Sequence, residues 1–126
     1  MEVDVAVVGG GPAGAVTARC LASWGRSVAV FERSRYEEPR YGETLPPEAM
    51  PLLDALGLRS ALEAVDTVES PGTVSSWGGD PVEDDFVRNV HGPGLHVDRA
   101  GFDRALASAA EEAGASMWTG VTVTGA

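Results

Sequence analysis

The 126-residue chain contains no lysine, so its nine basic residues other than histidine are all arginines. It has a single cysteine, Cys20, which excludes an intrachain disulfide and leaves a small buried hydrophobe as the simplest role for the thiol. Nineteen carboxylates give a net charge of −10, and this shortage of positive charge argues against a nucleic-acid surface and against binding to anionic membranes. No apolar run approaches the length of a membrane span. No basic stretch precedes the N-terminal apolar run, and glycines interrupt that run too soon for a signal peptide. A cytoplasmic location is the default expectation. No Cys/His/carboxylate spacing points to a metal, and there is no internal repeat, low-complexity tract or linker. The length allows at most one domain, and an apolar content of 44% suffices for a globular core.

What is present is concentrated near the start. Val5-Ala6-Val7-Val8-Gly9-Gly10-Gly11-Pro12-Ala13-Gly14 is answered by Val28-Ala29-Val30-Phe31-Glu32. A Gly-x-Gly-x-x-Gly alone is weak evidence. Here it follows an apolar run, opens a helical segment, and precedes a second apolar run ending in an acid, which is the context a dinucleotide-binding fingerprint requires. Val3 to Val8 reads as a parallel strand buried on both faces. Gly9 permits the sharp exit from the strand, Gly11 a close approach of backbone to a pyrophosphate, and Gly14 tight packing of helix on sheet. Pro12 suits the first helical turn because its missing N–H would have no partner there. The amide-rich start of that helix, with Ala13 in its first turn, faces the pyrophosphate. Glu32 is positioned to accept from ribose hydroxyls, which favours FAD or NAD over NADP.

Along the chain, Ala13 to Trp24 reads as a helix with Val16, Cys20 and Leu21 on its apolar face, ended by Gly25. Ser27 to Glu32 is a strand, and residues 33 to 45 a polar loop. Pro47 to Leu56 reads as a short helix with Gly57 as its C-cap. Residues 66 to 97 are expected to hold short strands of a second layer. Arg99 to Ala113 reads as a helix with Asp98 as its N-cap and Phe102, Leu106, Ala109, Ala110 and Ala113 on one face. Ser116 to Val123 returns as a strand. The order predicts a right-handed, doubly wound α/β sheet.

Three segments together resemble one family. The Gly-Pro-Ala-Gly turn at residues 11–14 is of the form usual in FAD-binding proteins. Arg40-Tyr41-Gly42-Glu43-Thr44-Leu45-Pro46-Pro47 resembles the Gly-Glu-Ser/Thr segment of flavin-dependent halogenases and related monooxygenases. His96-Val97-Asp98-Arg99-Ala100-Gly101-Phe102-Asp103 resembles the Asp-Arg-x-x-Phe-Asp segment of the same group, which also includes geranylgeranyl reductases. The resemblance spans nearly the whole chain. It implies an α/β, Rossmann-like FAD-binding fold of the glutathione-reductase type, incomplete here. Residues 1–126 would be its N-terminal portion, with approximately 66–97 beginning an inserted β substrate layer.

By position, the resemblance puts Ala13 and Gly14 by the pyrophosphate, Glu32 on the adenosine ribose and Arg33 near the adenine. Arg40, Gly42, Glu43 and Thr44 match the segment passing the ribityl chain and flavin. Arg99 matches an arginine that approaches the FAD, and Val123 the residue whose backbone reads the adenine edge. Arg40, Arg99 and the helix start would supply local positive charge for an anionic cofactor in an acidic chain. The implied function is that of a flavin-dependent monooxygenase acting through a flavin hydroperoxide on an electron-rich substrate, a small molecule or a peptidyl aromatic group. Electrons would come from NAD(P)H, directly or through a separate flavin reductase. No catalytic residue is assigned.

The departures are informative. Flavin halogenases carry a catalytic lysine between the two later segments, where this chain reads Thr73-Val74-Ser75-Ser76-Trp77-Gly78-Gly79. The family's later Gly-Asp segment and the rest of its substrate domain are absent. The Ser-x-Trp-Gly-like reading of residues 73–79 is closer to non-halogenating relatives, including flavoproteins that hydroxylate tryptophan during maturation of quinone-cofactor enzymes. Two alternatives stand beside the monooxygenase: a geranylgeranyl-reductase-like enzyme that saturates a C=C bond, and a non-catalytic nucleotide-binding fragment or assembly partner. Among single residues, His91 reads as a solvated loop residue and His96 as a strand-end packing residue. Glu43 is open to an acid role or to backbone placement beside the cofactor. Trp77 fits a substrate pocket or a core or edge strand. Glu83-Asp84-Asp85 reads as a solvated turn.

Overall fold

A computed structural model describes residues 2–125. In chain order the elements are β1 (Val5–Val8), α1 (Pro12–Ser23), β2 (Val28–Glu32), β3 (Thr44–Leu45), α2 (Ala49–Ala55) and α3 (Arg59–Glu63). They continue with β4 (Thr67–Ser70), β5 (Gly72–Ser75), β6 (Val82–Asp85), β7 (Gly94–Val97), α4 (Arg99–Glu112) and β8 (Ser116–Thr119). These group into two compact units, one of residues 1–40 with 99–126 and one of residues 41–98.

In the first unit, β1, β2 and β8 form a parallel sheet in the order β1-β2-β8. The strands advance in one direction, and right-handed crossovers then place their helices on a single face. Alternation sorts the side chains accordingly. Val5, Val7, Val28, Val30 and Met117 pack with Ala18, Leu21 and Ala22 of α1, Ala110 of α4, and Ala115. The helices bury small side chains against this core, Ala15 and Ala18 on α1 and Ala107 and Ala110 on α4, and pack on each other. Close approach therefore falls to alanines, while the expected Val16, Cys20 and Leu21 are only half-buried. Cys20 is thus not the fully buried residue its composition suggested.

The opposite face differs from the expectation of a strand buried on both sides. The register aligns Val8, Phe31 and Trp118 in one row across the sheet, and Val8 and Trp118 remain 67% and 45% exposed. A doubly wound sheet needs a reversal of strand order to bring helices to this second face. Among the described residues these three parallel strands contain no such reversal.

In the second unit, β3-β7-β4 is an antiparallel sheet and β5–β6 a separate hairpin. Met50, Leu53, Leu58, Ala61, Leu62, Phe86 and Val97 are among its buried side chains, together with Pro47 and Ser70. Several expectations change here. Thr44–Leu45, read as loop, pairs as a short strand with β7, since Thr44 and Leu45 oppose His96 and Leu95. Helix α3 was not foreseen. Residues 83–85 lie in a strand rather than a turn, though all are solvated. Trp77 is 95% exposed at the hairpin tip, so it belongs to no core or edge strand. His96 is exposed rather than packed, and its Nδ1 shares a 2.9 Å hydrogen bond with Thr44 Oγ1.

No helix among the described residues is long and apolar enough to cross a membrane.

Candidate nucleotide site

The turn from β1 into α1 is shaped by three glycines with different tasks. Gly9 adopts φ +99°, left-handed backbone that a side chain would strain. Gly14 sits so close beneath it that an added Cβ would lie 1.9 Å from the Gly9 carbonyl oxygen. Gly11 is the N-cap of α1, and the nearest atom to a Cβ there is Asp103 Oδ2 at 3.9 Å. Pro12 takes the first helical position. A glycine cap brings no side-chain acceptor, so the first-turn amides of Ala13 and Gly14 have neither an intrahelical partner nor a cap from that residue. This is the electrostatic preparation for an anion.

Glu32, at the end of β2, is buried and held from several sides. Its Oε2 accepts from the Gly10 N–H at 2.7 Å, and its Oε1 accepts from the Ser34 N–H at 2.9 Å and from Arg40 Nη2 at 2.8 Å. Burial by itself raises a carboxyl pKa, but the Ser34 and Gly10 amides, the Ser34 hydroxyl and the Arg40 guanidinium outweigh it and bring Glu32 down to about 2. The group is therefore a fixed carboxylate, an acceptor for hydroxyls and a poor neighbour for a phosphate monoester.

Arg40 also donates to Ser34 Oγ and, through Nη1, to Asp103 Oδ2 at 2.9 Å. Asp103 is completely buried on α4 and accepts in addition from Arg99 Nε at 2.9 Å and Nη2 at 3.2 Å. Glu32, Arg40, Asp103 and Arg99 thus form a charge-balanced chain beneath the turn. Tyr36 completes the surroundings. Its Oη donates to the Gly10 carbonyl at 2.8 Å, and Arg40 lies over its ring, 5.0 Å from the centroid. Burial and the Glu32 charge push the Tyr36 phenol up to about 12, so its proton stays on.

A cleft of about 280 Å³ opens above these groups, lined by Val8, Gly9, Phe31, Glu32, Arg33 and residues 121–123. The strand expected to run to Val123 ends at Thr119. Gly120 and Val121 instead donate their amides to the Ser34 and Glu32 carbonyls, at 3.1 and 3.0 Å. These bonds carry the chain past the end of β2 and bring Val121, Thr122 and Val123 to the cleft.

Of the residues singled out from sequence, Gly9, Glu32, Arg33 and Val123 line this one cleft, and Gly11, Pro12, Ala13 and Gly14 form the adjoining helix start. Arg40 and Arg99 belong to the same unit but make their ion pairs with Glu32 and Asp103. Gly42, Glu43 and Thr44 belong to the other unit, where Gly42 and Glu43 are exposed and Thr44 lies in β3. Sequence reading missed Gly10, Ser34, Tyr36 and Asp103. Only Asp103 carried a signal, as the last residue of the Asp-Arg-x-x-Phe-Asp segment.

Residues 2–126 match the family model described as FAD binding domain. The chain belongs to the FAD-binding domain family. This FAD-binding domain is 32% identical over 122 residues to a tryptophan 2-halogenase of Chondromyces crocatus, covering 97% of this chain and 23% of that one. It superposes with TM-score 0.76 and 31% identity on a flavoprotein/dehydrogenase from Cytophaga hutchinsonii, covering 98% of this chain and 31% of the other. A geranylgeranyl bacteriochlorophyll reductase-like structure from Thermoplasma acidophilum gives TM-score 0.67 at 27% identity, covering 98% and 32%. Flavin-dependent halogenases, squalene epoxidases and a 6-methylpretetramide 4-monooxygenase are also among the relatives. The FAD-binding domain thus spans about a quarter to a third of the length of the relatives compared, and its Rossmann-like α/β fold is theirs.

Proposed function

We propose that this FAD-binding domain holds the cofactor for a flavin-dependent oxidoreductase of monooxygenase type acting on an electron-rich or aromatic substrate. The observation that carries the reading is the pairing of a fixed, buried Glu32 carboxylate with a glycine-capped helix start at one cleft. An adenosine diphosphate moiety needs both groups, an acceptor for ribose hydroxyls and amides for the pyrophosphate. In this assignment Gly9, Gly11, Pro12, Ala13 and Gly14 hold the pyrophosphate, and Glu32 holds the ribose. Arg33 and Val123 hold the adenine side. Arg99 and Arg40 supply cationic support from beneath, and Gly42, Glu43 and Thr44 pass the flavin side.

When bound, FAD supplies the redox and oxygen chemistry; the protein's part is to bind, orient and exclude water. NAD(P)H serves as electron donor, directly or through a separate flavin reductase, and a cytoplasmic location goes with that supply. The absence of lysine anywhere in the chain speaks against halogenation by a lysine within these residues.

The test is the visible spectrum of the purified chain, before and after addition of FAD. Flavin bands that survive desalting are expected. A colourless protein that takes up no added FAD overturns the assignment. The similarity to the reductase-like structure favours one second reading, saturation of a C=C bond by reduced flavin. Product analysis with and without oxygen separates the two, because only the monooxygenase needs oxygen.

A further inference from the structure

The two peptide groups flanking the Gly10 Cα are each held by a side chain, one from the end of β2 and one from the segment after it. The Gly10 N–H donates to Glu32 Oε2, and the Gly10 carbonyl accepts from Tyr36 Oη. Arg40 joins these two holders by pairing with Glu32 and lying over the Tyr36 ring. Asp103 anchors Arg40, and Arg104, also on α4, donates to the Tyr36 carbonyl. Tyr36 is only 4% exposed and sits at φ +58°, left-handed backbone that a bulky residue rarely takes. Tertiary contacts therefore hold it in place against local preference. A Cβ on Gly10 would lie 2.4 Å from Tyr36 Oη, so the hydroxyl occupies the space that glycine leaves.

The consequence concerns the next amide. In a trans peptide the C=O and N–H point in opposite directions. With the Gly10 carbonyl turned inward onto Tyr36, the Gly11 N–H is turned the other way, and Gly11 is the N-cap of α1. We propose that Tyr36 is a positioning residue for dinucleotide binding: its hydroxyl fixes the Gly10–Gly11 peptide so that the Gly11 amide faces the pyrophosphate. The inference rests on the FAD reading above. It assigns Tyr36 no contact with the cofactor, since it acts through the backbone.

Tyr36→Phe tests it, because the variant keeps the ring, its packing and the Arg40 contact and removes only the oxygen. Affinity for FAD and for ADP falls about 5-fold, the size expected for one lost hydrogen bond. Affinity for adenosine, which carries no phosphate, stays within about 2-fold, and the melting temperature falls by about 4–8 °C because the Gly10 carbonyl loses its buried donor, a loss that by itself does not separate ADP from adenosine. The Gly11 amide resonance shifts in the ligand-free variant, which reports the peptide plane without any cofactor. If ADP and adenosine weaken equally, or if neither changes, the positioning role is overturned while the FAD reading stands. If the wild-type chain binds neither FAD nor ADP, that reading fails and the inference falls with it.

Discussion

Replacing Gly14 by alanine tests the turn at its tightest point. The added Cβ would lie 1.9 Å from the Gly9 carbonyl oxygen and 3.0 Å from the Gly9 carbonyl carbon, with Val7 Cγ1 at 3.3 Å. Two of these atoms are backbone, so no rotamer change relieves the clash. Ordinary contact would require α1 to move from the turn by roughly 1.5 Å, and overpacking of that kind costs about 1–3 kcal/mol. The higher helix propensity of alanine returns no more than about 1 kcal/mol. A backbone clash this close lies at the upper end of the overpacking cost, which leaves a net loss of about 2–3 kcal/mol; at roughly 4 °C per kcal/mol for a domain of this size, a fall of about 8–12 °C is expected. Gly11→Ala is the internal control. Its Cβ meets only Asp103 Oδ2 at 3.9 Å, and its φ of −70° suits alanine. The loss of a favourable cap residue costs about 0.5 kcal/mol, or roughly 2 °C. On the proposed assignment its effect should appear instead in FAD binding, since Gly11 is assigned to the pyrophosphate. Thermal melts followed by circular dichroism, with parallel flavin titrations, check both variants. If Gly14→Ala melts within 2 °C of wild type, the close approach of helix to turn is wrong, and with it the account of how the turn is built.

The remaining expectations follow from the charge-balanced chain and the surface. Glu32 has its pKa lowered from 4.5 to about 2, so its contribution is complete above pH 4.5 and is lost as pH falls toward 2. At about 1.4 kcal/mol per pH unit the loss is roughly 3 kcal/mol, read as a falling urea midpoint between pH 5 and pH 2.5; a flat midpoint across that range contradicts the hydrogen-bonded carboxylate. Glu32→Gln removes the ion pair to Arg40 and the charge that rejects a 2′-phosphate, so FAD affinity should fall at least about 10-fold and that part of the acid sensitivity should disappear. Asp103→Ala leaves the half-buried guanidiniums of Arg40 and Arg99 without their shared carboxylate and should cost about 3 kcal/mol in chemical denaturation. Asp54 and Arg59 pair at 2.6 Å on the solvent side of the second unit, and Arg59→Ala should leave the denaturation midpoint almost unchanged, since water and salt screen an exposed pair.

The strand–turn–helix–strand unit was legible because its signals are local. An apolar run, glycines at fixed spacing, a proline at the first helical position and an acid closing the next strand all fall within residues 3–32, and β1, α1 and β2 lie within two residues of the expected bounds. The helix from Arg99 was equally plain, ending at Glu112 against an expected Ala113. Residues 41–98 were harder. Two-residue β3 has no period to read, and the acidic run of β6 looks like a turn until its partner strand β5 is known. Trp77 shows the limit for single residues, since nothing in its neighbours announces that it stands at an exposed hairpin tip.

What the sequence by itself determined is the glycine turn and the carboxylate that answers it, because backbone freedom and apolar period act over short stretches of chain; the FAD-binding family was readable through the resemblance of three segments. What only the tertiary structure decided is how that carboxylate is held. Arg40 and Asp103 are 63 positions apart, and Tyr36 reaches a carbonyl 26 positions away. Such contacts depend on which helix packs beside the turn and on side-chain directions that burial selects. Local sequence preference does not set them, and at Tyr36 it opposes them.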